Sequence, residues 1–543
     1  MPLSKVDKEY GLDLITPVDA RPVEIDRVFT NLLPILKHEE TPLARGRTDL
    51  VTIDTLTAAV TRNDTLHFEG FSDHPNIVAR WIESDFLSLV KRGDPDKQKV
   101  AAPLPMHLNT YKLRNPQYCK DYGVAMQIFS LLYYGAPDVM RRLRDYLLRG
   151  ANYESDKYDE RTPLDIETLL MMRILDQQRP DRPDRRKQIS IPVPLCRGQG
   201  QLLGDDIDRL LAYEKDVPRL VLIGYIKNIM ALHVGIYMLR LFHIVPDIAK
   251  NAKRSSVCEN CHVGTSQHRF LEECPYAVEI ITDMGEDYRT PMAELARQQF
   301  ETHWAQLNTY IRAHLTLKKL HEFGKTLQDE ERLGKDALET LEQVAALRDF
   351  EDQSELKNFF RSRIRDLIKT DSEERDERLV MIQRMGLNEL EAYIEMLHLL
   401  RQRFHEKYYR DLFDSVFQKN RDNGLLRQGI GKTRNKRRYA MGSGLLETLV
   451  QIAVIERAPD GTFRTRHIRI DEFIDWLQHR YGIYISRLPE RMTPSIADLE
   501  ALRQNVIEFK RRLRDIGFYT DLSDAYIAQV IQPRYSLMMR QRV

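Results

Sequence analysis

The sequence is poor in cysteine, with five in 543 residues and hence an odd number. This excludes a secreted scaffold built on disulfides, which uses paired cysteines at high density. Net charge is almost absent, with 82 Lys and Arg against 81 Asp and Glu. Uninterrupted apolar runs are also lacking. The most apolar stretch, Arg219 to Val245, is broken by Lys227, Asn228, His233, Arg240 and His243. A Lys and an Arg near the middle of a lone membrane span would cost about 2.5–3.5 kcal/mol each. A buried central helix is therefore expected, with no membrane association. The first residues, Met1 to Lys8, lack the basic-then-apolar profile of a signal peptide, so a cytoplasmic location is expected.

Catalytic signatures are missing too. There is no HExxH, no GxSxG and no Cys–His pair in a protease context. Gly429-Ile430-Gly431-Lys432-Thr433 approaches a phosphate loop, but Leu426 stands where the first glycine must be. It also leads into Arg434, Lys436, Arg437 and Arg438 rather than an apolar helix, and it reads as a basic loop. Asp205, Asp206 and Asp208 cluster, and Glu508-Phe509-Lys510 echoes the end of a metal-nuclease motif. Neither lies on a convincing strand pair, and both read as surface charge.

What is present is ample core. Apolar residues make up 42% and charged residues 30%, enough for about two to four domains. Residues 1–178 read as a mixed, mostly helical domain. Within it a helix is expected from Pro75 to near Gly93, and others over Tyr122–Tyr134 and Pro137–Leu148. Pro137 is placed for a first turn and Gly150 for a stop. Residues 179–290 hold a Pro- and Arg-rich linker, an extended segment at Ile189–Leu195 and the apolar central helix. Residues 291–420 repeat apolar positions at spacings of three and four without sustained heptads, which predicts a helical bundle rather than a coiled coil. Residues 421–543 change character. A helix over Gly444–Ile455 is capped by Ser443. A turn at Pro459-Asp460-Gly461, a strand over Thr462–Ile470 and a helix capped by Asp471 follow. That order is winged-helix-like. A helix from Ser495 to Ile516 comes after it.

Three of the cysteines, Cys258, Cys261 and Cys274, fall close together, with His262 and His268 between them. In a cytosolic setting such clustering points to metal, because thiolates are soft ligands. The CxxC pair suits a knuckle whose backbone amides hydrogen-bond the sulfurs. Cys258, Cys261, His268 and Cys274 would close a tetrahedral, structural zinc site, with His262 as the alternative histidine. Free thiols near a turn, c-type haem attachment at CxxCH and a redox pair are the other readings. Haem attachment usually needs export, and the redox reading lacks a thioredoxin-like flank.

Charge is unevenly spread. Arg421 to Val543 holds 22 Lys and Arg against 14 Asp and Glu, a net +8 in a chain of net +1. Lys432, Arg434, Lys436, Arg437 and Arg438, with Arg464, Arg466 and Arg469 of the expected wing, are the nucleic-acid-binding candidates, since clustered cations neutralise phosphates. The same residues could equally face solvent or a protein. The expected helix over Gly444–Ile455 has few side chains suited to base edges.

Three runs carry a resemblance: Ile223 to His233 (IGYIKNIMALH) leading into the cysteines, Gly444 to Ala453 (GLLETLVQIA), and Phe473 to Gly482 (FIDWLQHRYG). Together they resemble accessory proteins of bacterial anti-phage systems of the methylation-associated or phosphorothioation-dependent kind. The resemblance implies a non-enzymatic partner of a helicase-like or translocase ATPase, and it supplies no catalytic residues. The expectation is thus a mainly α, multi-domain helical protein with a small zinc knuckle and a C-terminal winged-helix-like module. Its expected partners are DNA or an acidic protein surface, and the system's ATPase subunit. A divergent metal-dependent nuclease or nucleotide hydrolase, and a winged-helix transcription regulator, are the rival readings.

Overall fold

The structure is a computed structural model that describes residues 3–42, 51–61, 69–91, 99–153, 155, 157–159, 161–175, 184, 186–255, 258, 261, 274–351, 353–369, 377–431, 435–519 and 530–537. It is mainly helical, with a few small two-stranded sheets. The apolar stretch singled out by the sequence is one helix, Arg219–Asn251. It is long and apolar enough to cross a membrane, and 78% of its most apolar window is buried inside the protein. Apolar side chains point in every direction from it because neighbours surround it. Helix Arg197–Leu211 packs on one side and helix Pro291–Asp329 on another, with Glu389–Val416 and Ser443–Ala453 completing the surround. Its polar residues find partners: Asn228 Nδ2 donates to Thr448 Oγ1 at 3.0 Å, and Lys227 pairs with Asp26.

Local signals account for many helix ends. Pro137 starts Pro137–Leu148, and Gly150 turns away at φ +93°. Thr290 caps Pro291–Asp329 by accepting from the Ala293 N–H at 3.1 Å. Ser495 and Asp498 form a reciprocal box at the start of Ile496–Asp515. Other boundaries differ from expectation. The helix from Pro75 ends at Asp85, and Leu87–Lys91 is a strand paired with Lys99–Pro103. Val100 is itself held by the Val51 carbonyl at 2.9 Å, so sheet pairing overrides the helical period. The expected strand over Thr462–Ile470 is two short pieces, Phe463–Thr465 and Ile468–Arg469. Gly442 rather than Ser443 is the cap of Ser443–Ala453, and Arg469 rather than Asp471 that of Ile470–Tyr481.

The C-terminal region keeps the order helix, hairpin, helix, with Gly461 at φ +82° in the hairpin turn between Ile455–Arg457 and Phe463–Thr465. Its next strand, Ile483–Tyr484, leaves to pair in parallel with Ile280–Ile281. Asn505 locks that junction: its Nδ2 donates to the Thr282 and Ile485 carbonyls at 3.0 and 2.9 Å, and its Oδ1 accepts from the Met284 N–H at 2.7 Å. One apolar cluster draws buried side chains from all four expected segments, from Leu12 to Ile531.

Candidate functional site

The cysteine-bearing turn follows directly from the end of the central helix. Ala252 caps that helix in a left-handed conformation, φ +50°. Tyr276 holds residues on the N-terminal side of the cysteines. Its hydroxyl accepts from the Ser255 N–H at 3.1 Å and donates to Asp247 on the helix. Cys258, Cys261 and Cys274 are half-buried against the main core. His262 and His268 lie outside the described residues.

A further thiol lies on a neighbouring segment, which Arg254 holds by donating to the Leu195 carbonyl at 3.1 Å. Cys196 is buried at the start of helix Arg197–Leu211, far away in sequence, and accepts a hydrogen bond from Arg240 Nη1 at 3.4 Å. Burial pushes the Cys258 thiol up to about 12, so it is held as the neutral thiol. Burial raises Cys274 in the same direction. The sequence reading passed over Cys196 because its spacing to the other cysteines resembles no ligand motif. Its only signal was residue type. Among the described residues, no three His, Cys, Asp or Glu side chains are set closely enough to hold a metal ion.

Beside the turn lies a cleft of about 1340 Å³ whose wall includes Arg197, Arg254, Cys258, Cys261, Lys318 and Lys325. Asp13, Glu339 and Glu342 share the lining, and Arg254 pairs with Glu342 at 2.7 Å. The cleft is mixed in charge, with basic side chains contributed by three separate helices or turns.

The acidic trio is not the surface charge the sequence suggested. Asp206 is fully buried and Asp208 nearly so. Asp206 Oδ2 accepts from His233 Nε2 and from the Tyr481 hydroxyl, each at 2.7 Å, while its Oδ1 accepts from Arg480 Nε at 2.9 Å. Arg480 also reaches Asp205 at 2.7 Å, and Arg209 reaches the same carboxylate at 2.9 Å. Burial disfavours the charge on Asp206, but Arg480 and His233 outweigh it and hold its carboxyl below the usual range. His233 is kept neutral by burial. The network ties helix Arg197–Leu211 to the central helix and to helix Ile470–Tyr481. It is a structural clamp, and its aspartates are consumed by arginine rather than offered to a metal. Glu508 lies on helix Ile496–Asp515 and pairs with Arg511 at 2.7 Å.

The basic candidates divide. Lys432 and Arg434 lie outside the described residues, and Lys436 is exposed. Arg437 and Arg438 are turned inward, only 8% and 7% exposed, which corrects their expected place on a binding surface. Arg437 grips Asp414 at 2.8 Å, and Arg438 grips Asp283 at 2.9 Å. Each sits on the short strand Arg437–Tyr439, packed against helix Pro291–Asp329. Arg464 and Arg469 remain at the surface, beside Glu456 and Asp471, each pair at 2.9 Å. Arg466 pairs with Glu472. Helix Ser443–Ala453 is core, with Leu446, Thr448, Leu449 and Gln451 fully buried, so it presents no recognition face on that side.

A mainly helical body, a thiol-bearing turn and a charge-segregated C-terminal region fit a component of an anti-phage defence system of the methylation-associated kind, the class to which comparison assigns the chain. Residues 5–535 match the family model of the methylation-associated defense system protein MAD7, and the chain belongs to that family. No curated protein and no solved structure matches it.

Proposed function

We propose that the chain is a non-enzymatic binding subunit of this defence system. Its winged-helix-like C-terminal region, residues 421–543, engages DNA or an acidic protein surface, and its helical body recruits the system's ATPase subunit. The observation that carries this reading is charge segregation: a net +8 lies in the last 123 residues of a chain of net +1. Arg469, Arg491 and Arg503 keep their side chains more than 60% exposed there. Cations so placed gain affinity by releasing counterions from a polyanion, which needs no sequence readout. Cys258, Cys261 and Cys274, with His268 or alternatively His262, would hold a structural zinc only by closing on the ion, since no three such side chains stand at ligand spacing among the described residues.

The test is anisotropy of labelled duplex DNA against the purified chain, between about 50 and 200 mM salt. Binding that weakens steeply over this range supports DNA as the polyanion. Retention of the ATPase subunit without DNA binding supports the acidic protein surface. Cleavage of DNA or hydrolysis of a nucleotide by the chain alone overturns the non-enzymatic reading.

A further inference from the structure

The N-terminal segment, residues 8–21, and helix Glu389–Val416 together line a pocket of about 370 Å³. That size falls within the range of small-molecule sites, about 300–1,000 Å³. Hydrogen bonds fix its walls. The Tyr10 hydroxyl donates to that of Tyr409 at 3.2 Å, which donates on to Tyr310 at 3.3 Å. The Tyr10 carbonyl accepts from His314 Nε2 at 2.8 Å, and Arg401 donates to the Lys8 carbonyl.

Two features of this pocket point to a ligand. The first is its rim. Phe404 is 43% exposed although it is apolar. Tyr408, one turn further along the helix, brings its ring to 4.3 Å from that of Phe404. A guanidinium covers each ring: Arg401 lies 4.5 Å from the centroid of Phe404, and Arg21 lies 5.9 Å from that of Tyr408. Aromatic faces set among guanidinium planes are what a nucleobase stacks on. The second is His405, which belongs to the same lining and is only 3% exposed. Neither of its ring nitrogens has a hydrogen-bond partner among the described residues. A buried imidazole left unsatisfied is costly, and it offers a place for a polar atom of a ligand.

Charge selects the kind of ligand. Lys8, Arg21 and Arg401 line the pocket with Asp13 and Asp19. Arg21 occupies Asp19 at 2.9 Å. Burial disfavours the charge on Arg401, and no carboxylate among the described residues offsets this. A cation, the usual occupant of an aromatic cage, would be repelled by that guanidinium, whereas an anion would supply its missing partner.

We propose that this pocket binds a nucleotide, with the base stacked against the Phe404–Tyr408 rim and the phosphate held by Arg401 and Lys8. A free mononucleotide and an unpaired nucleotide of a DNA strand share this chemistry. The site uses no residue of 421–543, so it is separate from the surface assigned to a polyanion above.

The experiment titrates the full chain by calorimetry with AMP, GMP, CMP and TMP, with ribose 5-phosphate, and with a short single-stranded DNA. At least one mononucleotide should bind at one per chain, and ribose 5-phosphate should bind far more weakly because it has no base. Phe404→Ala should weaken binding about 5- to 150-fold, the range for removing one stacking side chain. Phe404→Trp, which keeps an aromatic face, should restore it and guards against misfolding of the alanine variant. Arg401→Gln should weaken the mononucleotide more than the matching nucleoside. Arg464→Ala and Arg469→Ala should leave mononucleotide binding unchanged, so failure of the C-terminal reading and failure of this one are distinct. Binding of the single strand that depends on Phe404, with no mononucleotide bound, supports the site and identifies the strand as the source. Ribose 5-phosphate binding as well as the mononucleotides, or no probe whose binding depends on Phe404, overturns the proposal.

Discussion

Two sets of arginines in the C-terminal region look alike in sequence and behave differently in the fold. Arg437 and Arg438 are buried on carboxylates contributed by other segments, Asp414 and Asp283. Arg464 and Arg469 stand in solvent beside carboxylates of their own hairpin and helix start, Glu456 and Asp471. The first pair holds the molecule together, while the second is available to a partner. A buried guanidinium whose partner is removed leaves an uncompensated charge in a low-dielectric place, whereas an exposed pair is screened and contributes little. The net charge of a region therefore overstates what its surface can offer. Arg480 on Asp205 and Asp206 extends the inward class to the centre of the fold.

The comparison can be broken at several points. The largest effect is expected from acid. His303, His314 and His405 are buried and held neutral, each lowered to about 3 chiefly by burial. In the unfolded chain they take up protons near pH 6.5. Stability is thus complete above that pH and falls below it, by up to about 4 kcal/mol per pH unit for the three together. Urea midpoints between pH 7 and pH 5 measure this. A midpoint unchanged over that range would mean that the interior tolerates charge and that the inward class is not special.

Next comes Arg480→Ala, expected to cost about 3–5 kcal/mol because Asp205 and Asp206 lose their shared partner. A loss under about 1 kcal/mol in chemical denaturation would show that water reaches the clamp. Arg438→Ala should cost about 3 kcal/mol, since Asp283 is 1% exposed and burial already disfavours its charge. Arg438→Met, of similar reach but uncharged, should not rescue it, whereas the double change with Asp283→Asn should recover part of the loss. The smallest stability effect belongs to Arg464→Ala and Arg469→Ala, each within about 0.5 kcal/mol. Their effect is expected in binding instead, as a salt slope on DNA reduced by roughly one for each phosphate no longer neutralised. If these two variants melt early while binding normally, the division between inward and outward arginines is wrong.

Much of the fold was legible because its causes are local. Apolar spacing located helices Pro137–Leu148, Arg219–Asn251 and Ile496–Asp515, and a proline, a glycine or a serine marked their ends. Apolar residues on every face of the central helix, interrupted by Lys227 and Arg240, implied burial within the protein, and 78% of its most apolar window is buried. Leu87–Lys91 was misread as helix because its strand partner, Lys99–Pro103, acts from outside the window that periodicity samples. The candidate site was half legible. The CxxC pair and Cys274 stood out by spacing alone, whereas their half-buried place against the main core depends on how distant segments pack. Asp205 and Asp206 were misjudged for the same reason: Arg480 and Tyr481, which hold Asp206, arrive from near the other end of the chain.

The sequence by itself determined that the chain is mainly helical, that its most apolar helix lies inside, and that positive charge collects toward its C-terminal end. These follow from interactions within a few residues, where side-chain period and capping act. Only the tertiary structure decided which arginines point inward and that the acidic trio is a clamp. Such pairings join segments up to hundreds of residues apart, and burial gives them their strength, so no short stretch of sequence encodes them.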